Sequence, residues 1–260
     1  MRIIPINKCP KNNIGFGTGY GGNHLRWMLL LSDEYNFNFK VPEDEYLQVK
    51  GESWPRYDDY IYNNYNGISD SIRYEMQGRL SNDIEFDNIK NKLKFIEESV
   101  YPITRTWHNW IEVEYKYRFA FDQLIEAKHT PHIGGTFDNP NNKTLLLVLE
   151  PKTAYKAIVK YSIFKTTNNF NKPNEFIQTS IEYNEECLQL AKSNSHIKTM
   201  PCDSLFSSDI LDRTWYEELV TYFGLTNRYE DASYIHKIWY SLTKNAEREI
   251  VEFFNELYKQ

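Results

Sequence analysis

Gly15-Phe16-Gly17-Thr18-Gly19-Tyr20-Gly21-Gly22-Asn23-His24-Leu25-Arg26-Trp27-Met28-Leu29-Leu30-Leu31 is a glycine-dense loop that runs straight into an apolar helical pattern. Glycine takes positive φ at little steric cost and lets backbone N–H groups approach a ligand. A helix that begins at once aims its unsatisfied donors and positive dipole end at the same point. The stretch therefore reads as an anion cradle suited to phosphate or sulfate. The spacing Gly17-x-Gly19-x-x-Gly22 also matches a dinucleotide fingerprint, but that reading needs an acidic residue about 20 positions on, closing a second strand. Asp33 and Glu34 come too early, and Glu43 to Glu45 lie in a polar stretch after Pro42. A Walker A loop is excluded because Gly-Lys-Ser/Thr is absent. On the loop alone, a glycine-rich surface turn ahead of a core helix stays open as the plainer alternative.

Outward from the loop, the 260 residues and 41% hydrophobic content are enough for one large core, so residues 1–260 are expected to form a single domain. A net charge of −6 supplies no global basic field for nucleic acid or an anionic membrane. Cys9, Cys187 and Cys202 are widely spaced and odd in number, which argues against a disulfide framework and a structural zinc site. Met1-Arg2-Ile3-Ile4-Pro5 opens no long apolar segment, and the run Trp27 to Leu31 is far too short to span a bilayer. A cytoplasmic location with no membrane partner is the expectation. Aromatic residues reach 16%, twenty of them tyrosine, a bias that fits an A/T-rich genome.

The pattern predicts a first helix over about 22–35, followed by an irregular, tyrosine-rich insertion over roughly 36–70. Ser71 to Leu80 and Ile84 to Ser99 read as two modest helices, Ile89, Leu93 and Ile96 being the clearest helical set. Thr106 to Phe119 is compatible with helix or strand, and its Trp107, Trp110, Ile111 and Tyr115 spacing favours a packed helix. Thr144-Leu145-Leu146-Leu147-Val148-Leu149-Glu150, bounded by Asn139-Pro140-Asn141-Asn142 and Pro151, predicts a strand buried on both faces in a parallel sheet. A helix over Ala154 to Lys165 follows, with Pro151 near its start. Ile197 to Pro201 is a second strand, leading to a helix over about Asp209 to Phe223 that Gly224 closes in the left-handed conformation with Leu225 as its apolar contact. A last helix is expected over about Tyr234 to Tyr258. Alternating strands and helices predict a three-layer α/β fold with a mainly parallel sheet.

Three segments, in order, resemble the sulfotransferase branch of the P-loop fold. Tyr20-Gly21-Gly22-Asn23-His24-Leu25 is similar to that family's phosphosulfate loop. Ala127-Lys128-His129-Thr130-Pro131 resembles the Lys-Thr-His-Leu-Pro element carrying its catalytic histidine. The strand Leu145 to Leu149 with Glu150-Pro151-Lys152 resembles the strand ending in Arg-Asn/Asp-Pro-x-Asp that binds a 3′-phosphate. A looser match joins Pro201-Cys202-Asp203-Ser204-Leu205 and Trp215 to Leu225 to the family's C-terminal segments. The Gly-Gly-Asn form of the loop is similar to divergent sulfotransferase-like proteins of marine phages. The departures are specific: Gly19 stands where the family has Lys or Arg, Tyr20 where it has Ser, Leu149 for Arg, Thr153 for Asp and Ala157 for Ser. Removing a charge-assisted hydrogen bond to phosphate, with nothing in its place, costs about 1.5–3 kcal/mol. Arg26, Lys128, Lys152 and Lys156 are the nearby cations available to substitute.

The resemblance implies transfer of a sulfuryl group from 3′-phosphoadenosine-5′-phosphosulfate to a hydroxyl on a small molecule or glycan. It makes His129 the candidate base and Lys128 a charge stabiliser, with His132 as fallback. The implied donor-binding set is Gly19, Tyr20, Gly21, Gly22, Asn23, His24 and Arg26, together with Lys152 and Lys156. Histidine suits the acceptor proton because its ordinary pKa lies near neutrality. Read without the resemblance, His129 sits in a polar turn before Pro131, and His24 packs or caps on an apolar helix. His108, His196 and His236 show no metal-ligand spacing, so no metal is assigned. Asp203 and Asp209 read as turn and N-cap residues. Two other readings compete: a non-catalytic descendant of the fold that binds a partner or glycan through its aromatic-rich insertion, Tyr46 to Tyr74, and, more weakly, a nucleotide or phosphometabolite kinase.

Overall fold

The computed structural model describes residues 8–17, 20–39, 84–101, 124–129, 140–155 and 173–241. Its centre is a four-stranded, fully parallel sheet in the order β4-β1-β5-β6, formed by β1 (Asn12–Phe16), β4 (Ile125–His129), β5 (Lys143–Val148) and β6 (Ile197–Pro201). Leu145, Leu146 and Leu147 are wholly buried, as strands covered on both faces must be. β1 begins with two asparagines, and both are satisfied inside the core. Asn12 Nδ2 donates to the Tyr35 hydroxyl at 2.6 Å and Asn13 Nδ2 to Thr144 Oγ1 at 3.1 Å.

Helices flank the sheet, as a three-layer α/β fold requires. Helix α1 (Gly22–Leu30) packs on β1 and β4, and the 21-residue helix Pro173–Ser193, α4, packs on β5 and β6. Helix α4 has no counterpart in the sequence reading, although Phe176, Ser180, Tyr183, Cys187 and Leu190 recur at helical spacing and form its inner stripe. Between them in chain order lie α2 (Ile89–Phe95), continued by a π turn (Ile96–Val100), and α3 (151–155). After β6 come α5 (Ser204–Ser207), α6 (Arg213–Phe223) and α7 (229–241). Among the described residues no helix is long and apolar enough to cross a membrane.

Several boundaries differ from expectation for local reasons. Helix α1 stops at Leu30 because Ser32 turns extended and a 3₁₀ turn (Asp33–Tyr35) follows. The Lys92 ammonium closes that end, donating to the carbonyls of Leu30 (2.9 Å), Leu31 (3.3 Å) and Ser32 (2.6 Å). Ile84–Phe86 is a strand, β3, and it pairs antiparallel with β2 (Phe37–Phe39) from the segment expected to be irregular. Asn88 then caps α2 through its side chain, accepting from the Asn91 amide at 3.0 Å. Helix α6 starts at Arg213, capped by Asp212, whose carboxylate accepts from Trp215 N at 3.1 Å; Asp209 lies upstream and caps nothing. Its other end follows expectation: Gly224 has φ 71° and Leu225 N donates to Val220 O at 2.9 Å. Helix α3 begins at Pro151, earlier than expected, and α7 begins at Tyr229. The expected insertion beyond Phe39, the helix over Ser71 to Leu80, the Thr106 to Phe119 segment, the continuation of α3 past Tyr155 and the last helix past 241 lie outside the described residues.

Candidate functional site

Because the four strands are parallel, their carboxyl ends share one edge of the sheet. From β1 the chain goes to β4 on one side and then crosses to β5 on the other, so β1 and β5 flank the point where the winding reverses. In open α/β sheets this is where ligands are taken up. The glycine loop leaves β1 at that point.

The loop is anchored by its own tyrosine. Tyr20 N donates to Gly17 O at 3.1 Å, and the Tyr20 ring covers Gly17, where a Cβ would lie 2.7 Å from it. Tyr20 is 1% exposed, its hydroxyl donates to Asn184 Oδ1 at 3.2 Å, and its ring meets Tyr183 edge-on at 5.5 Å. Asn184 Nδ2 in turn donates to Leu149 O at 2.8 Å, so α4 fastens the loop to the end of β5. Burial raises the Tyr20 pKa far above its ordinary value, and the hydroxyl stays protonated. Gly21 then takes φ 75°, and Gly22 opens α1 directly against the Phe16 ring, where a Cβ would come within 2.1 Å. The first turn of α1 has no side-chain cap and no acidic residue. An uncapped helix start after a left-handed glycine favours an anion.

The remaining sequence candidates are distributed unevenly around this edge. In backbone register Lys128 pairs with Gly15 and His129 with Phe16, so β4 ends beside the start of the loop. Asn23 is half-buried at the first turn of α1. Arg26 is fully buried, its guanidinium 5.3 Å from the Trp27 ring centre. Leu149 is buried as well. Lys152 is exposed at the start of α3. Beside it Glu150 caps that helix, its Oε2 accepting from the Thr153 amide at 2.8 Å and hydroxyl at 3.3 Å, while Glu150 N donates to Asp203 Oδ1 at 3.2 Å. Desolvation opposes ionisation of Glu150, but the hydrogen bonds from the Thr153 and Lys152 amides and the Thr153 hydroxyl, with the Lys152 charge, together outweigh it and hold the carboxyl below its ordinary range. Gly19, His132, Lys156 and Ala157 lie outside the described residues.

His24 belongs to a cluster no spacing rule announces. Its Nδ1 lies 2.9 Å from the Tyr101 hydroxyl and its Nε2 lies 3.2 Å from Nδ1 of His236, whose Nε2 is 2.9 Å from Ser208 O. Trp239 stacks on the His24 ring at 4.2 Å and 5°. Burial, with a smaller push from His236, drives the His24 pKa well below its usual value, and burial also lowers that of His236. The partners come from segments up to 212 positions apart, so nothing local in the sequence could pair them. Among the described residues no group of three or more His, Cys, Asp or Glu side chains is arranged to hold a metal ion. Comparison of the chain with models of known protein families, with curated proteins and with solved structures finds no match.

Proposed function

We propose that the chain is a sulfotransferase-like protein whose glycine loop holds the anionic end of a sulfuryl donor while the sulfuryl group passes to a hydroxyl of a small molecule or glycan and the donor's phosphate departs with the electrons of the broken S–O bond. The observation that carries this reading is the uncapped start of α1, reached through left-handed Gly21 from the central strand β1 at the reversal of the sheet winding. Backbone amides at Gly22 and Asn23, not side chains, then supply the charge stabilisation. The donor supplies an activated sulfuryl group, and His129 at the end of the adjacent strand accepts the acceptor's hydroxyl proton at its imidazole. The loop suits the 5′ end of 3′-phosphoadenosine-5′-phosphosulfate. The second expected contact does not suit its 3′-phosphate: Leu149 is buried, and the Glu150 carboxylate occupies the Thr153 amide and hydroxyl.

That mismatch, with Tyr20 and Arg26 both buried, favours a second reading in which the fold binds an anionic partner without transferring anything. Calorimetry with adenosine 3′,5′-bisphosphate and with inorganic sulfate separates the two. Binding of the bisphosphate, together with loss of transfer but not of binding in His129→Ala, is the outcome expected of the enzyme. Binding of sulfate alone supports the second reading, and binding of neither overturns both.

A further inference from the structure

The His24–His236 pair forms a hydrogen-bond chain whose direction the last acceptor dictates. Ser208 O can only accept, so His236 carries its proton on Nε2 and presents a bare Nδ1; His24 donates to that atom from Nε2, and the Tyr101 hydroxyl donates to His24 Nδ1. Four elements meet there: the first turn of α1, the residue closing the π turn, the segment after α5, and α7. The enclosure is aromatic, with Trp239 flat on His24 and Phe206 edge-on to Trp239 at 5.6 Å. Phe206 also bounds the glycine loop, lying 3.4 Å from where a Gly21 Cβ would sit.

On these elements the charged side chains closest along the sequence to the four hydrogen-bonded residues are Arg26 of α1, Glu97 and Glu98 of the π turn, Asp209 after α5 and Lys237 of α7. Glu97 is engaged by the Tyr234 hydroxyl, and Asp209 is the one that acts on His236 among the described residues. The two rings meet nitrogen to nitrogen, with no carboxylate between them.

We propose that the Tyr101–His24–His236–Ser208 chain is a pH-sensitive latch, in which two neutral histidines fasten the glycine loop and the first turn of α1 to α7 and acid releases them. One added proton goes either to His24 Nδ1, which then donates to Tyr101 Oη while Nε2 still donates to His236, or to His236 Nδ1 with the bond between the rings reversed; both place a cation inside an aromatic enclosure. A second proton sets two N–H groups against each other across 3.2 Å. The latch is independent of what the loop binds.

Hydrogen–deuterium exchange on the full chain, corrected for intrinsic rates, tests this between about pH 7 and about pH 5, the range spanning free histidine. Protection of residues 20–30 and 229–241 should fall by about tenfold or more, while Lys143–Val148 stays protected. In His236→Phe, which keeps a ring and removes both nitrogens, that pH dependence should shrink to the part His24 supplies alone. Constant protection in the unaltered chain, an equal fall in His236→Phe, or simultaneous loss at Lys143–Val148 overturns the proposal. Should the variant fail to fold, ¹⁵N–¹H correlation of the unaltered imidazoles decides alone. Neutral rings with Nε2–H at about pH 7.5 whose signals move to those of free, protonated imidazoles by about pH 5 uphold the latch, and a charged ring or an Nδ1–H tautomer at about pH 7.5, or rings unchanged down to about pH 5, end it.

Discussion

At the residue scale, Lys92 shows how one buried cation sets an element boundary. Its ammonium is fully buried and spends its hydrogen bonds on the carbonyls of Leu30, the last residue of α1, and of Leu31 and Ser32 just after it, at the negative end of that helix dipole. Burial lowers its pKa to about 7 from 10.5, against the opposing pull of Asp33. Lys92→Met leaves those carbonyls buried without a donor, so a stability loss of roughly 1–3 kcal/mol is expected in urea unfolding near neutral pH. The sign of the pH dependence follows from proton counting. Between pH 7 and 10.5 the unfolded chain holds the Lys92 proton more tightly than the folded one, so stability contributed at this site rises as pH climbs through that window. The gap between the unaltered chain and Lys92→Met should widen accordingly. A gap that stays constant from about pH 7 to about pH 10 would show that the ammonium keeps an ordinary pKa in place.

Helix ends illustrate the element scale, because capping is decided by which side chain reaches an orphan amide. Asp209 and Asp212 both precede α6 and both are suitable residue types, but only Asp212 accepts from Trp215 N. Asp212→Ala should cost about 1 kcal/mol, whereas Asp209→Ala should change stability by no more than about 0.5 kcal/mol. Equal effects of the two substitutions in denaturant midpoints would contradict the observed start of α6. The same logic explains α3: Glu150 serves as its cap and Pro151 opens it, since a residue with no N–H loses nothing in the first turn.

For the whole molecule, the order β4-β1-β5-β6 makes β1 and β5 the strands paired on both sides among the described residues. β1 pairs on both sides with segments more than a hundred positions away, so the amides of these two strands should open only with global unfolding. The two-stranded β2–β3 ribbon, three residues per strand, should exchange faster by local opening. Native-state exchange at low denaturant measures this directly. Protection of Phe37–Phe39 equal to that of Leu145 to Leu147 would mean the ribbon belongs to the same cooperative unit as the central sheet.

How much of this was legible in the chain depends on how local each signal is. The apolar run Leu145 to Leu149, the glycine loop entering a helix and the Gly224 stop are statements about adjacent residues, and the fold keeps all three. The α/β class followed from them. What they could not contain is pairing at a distance: β3 became a strand by meeting β2, Tyr20 became a loop anchor by meeting Asn184, and Arg26 was taken out of solvent. At the candidate site, the placement of His129 beside Phe16 depends on strand order, and the histidine chain depends on α7 folding back onto α1. Sequence by itself determined which segments prefer helix, strand or turn, because those preferences come from each residue's own backbone and its near neighbours. The tertiary structure alone decided which polar groups are buried and with whom, because burial and hydrogen bonding are settled by atoms that the chain brings together only when it folds.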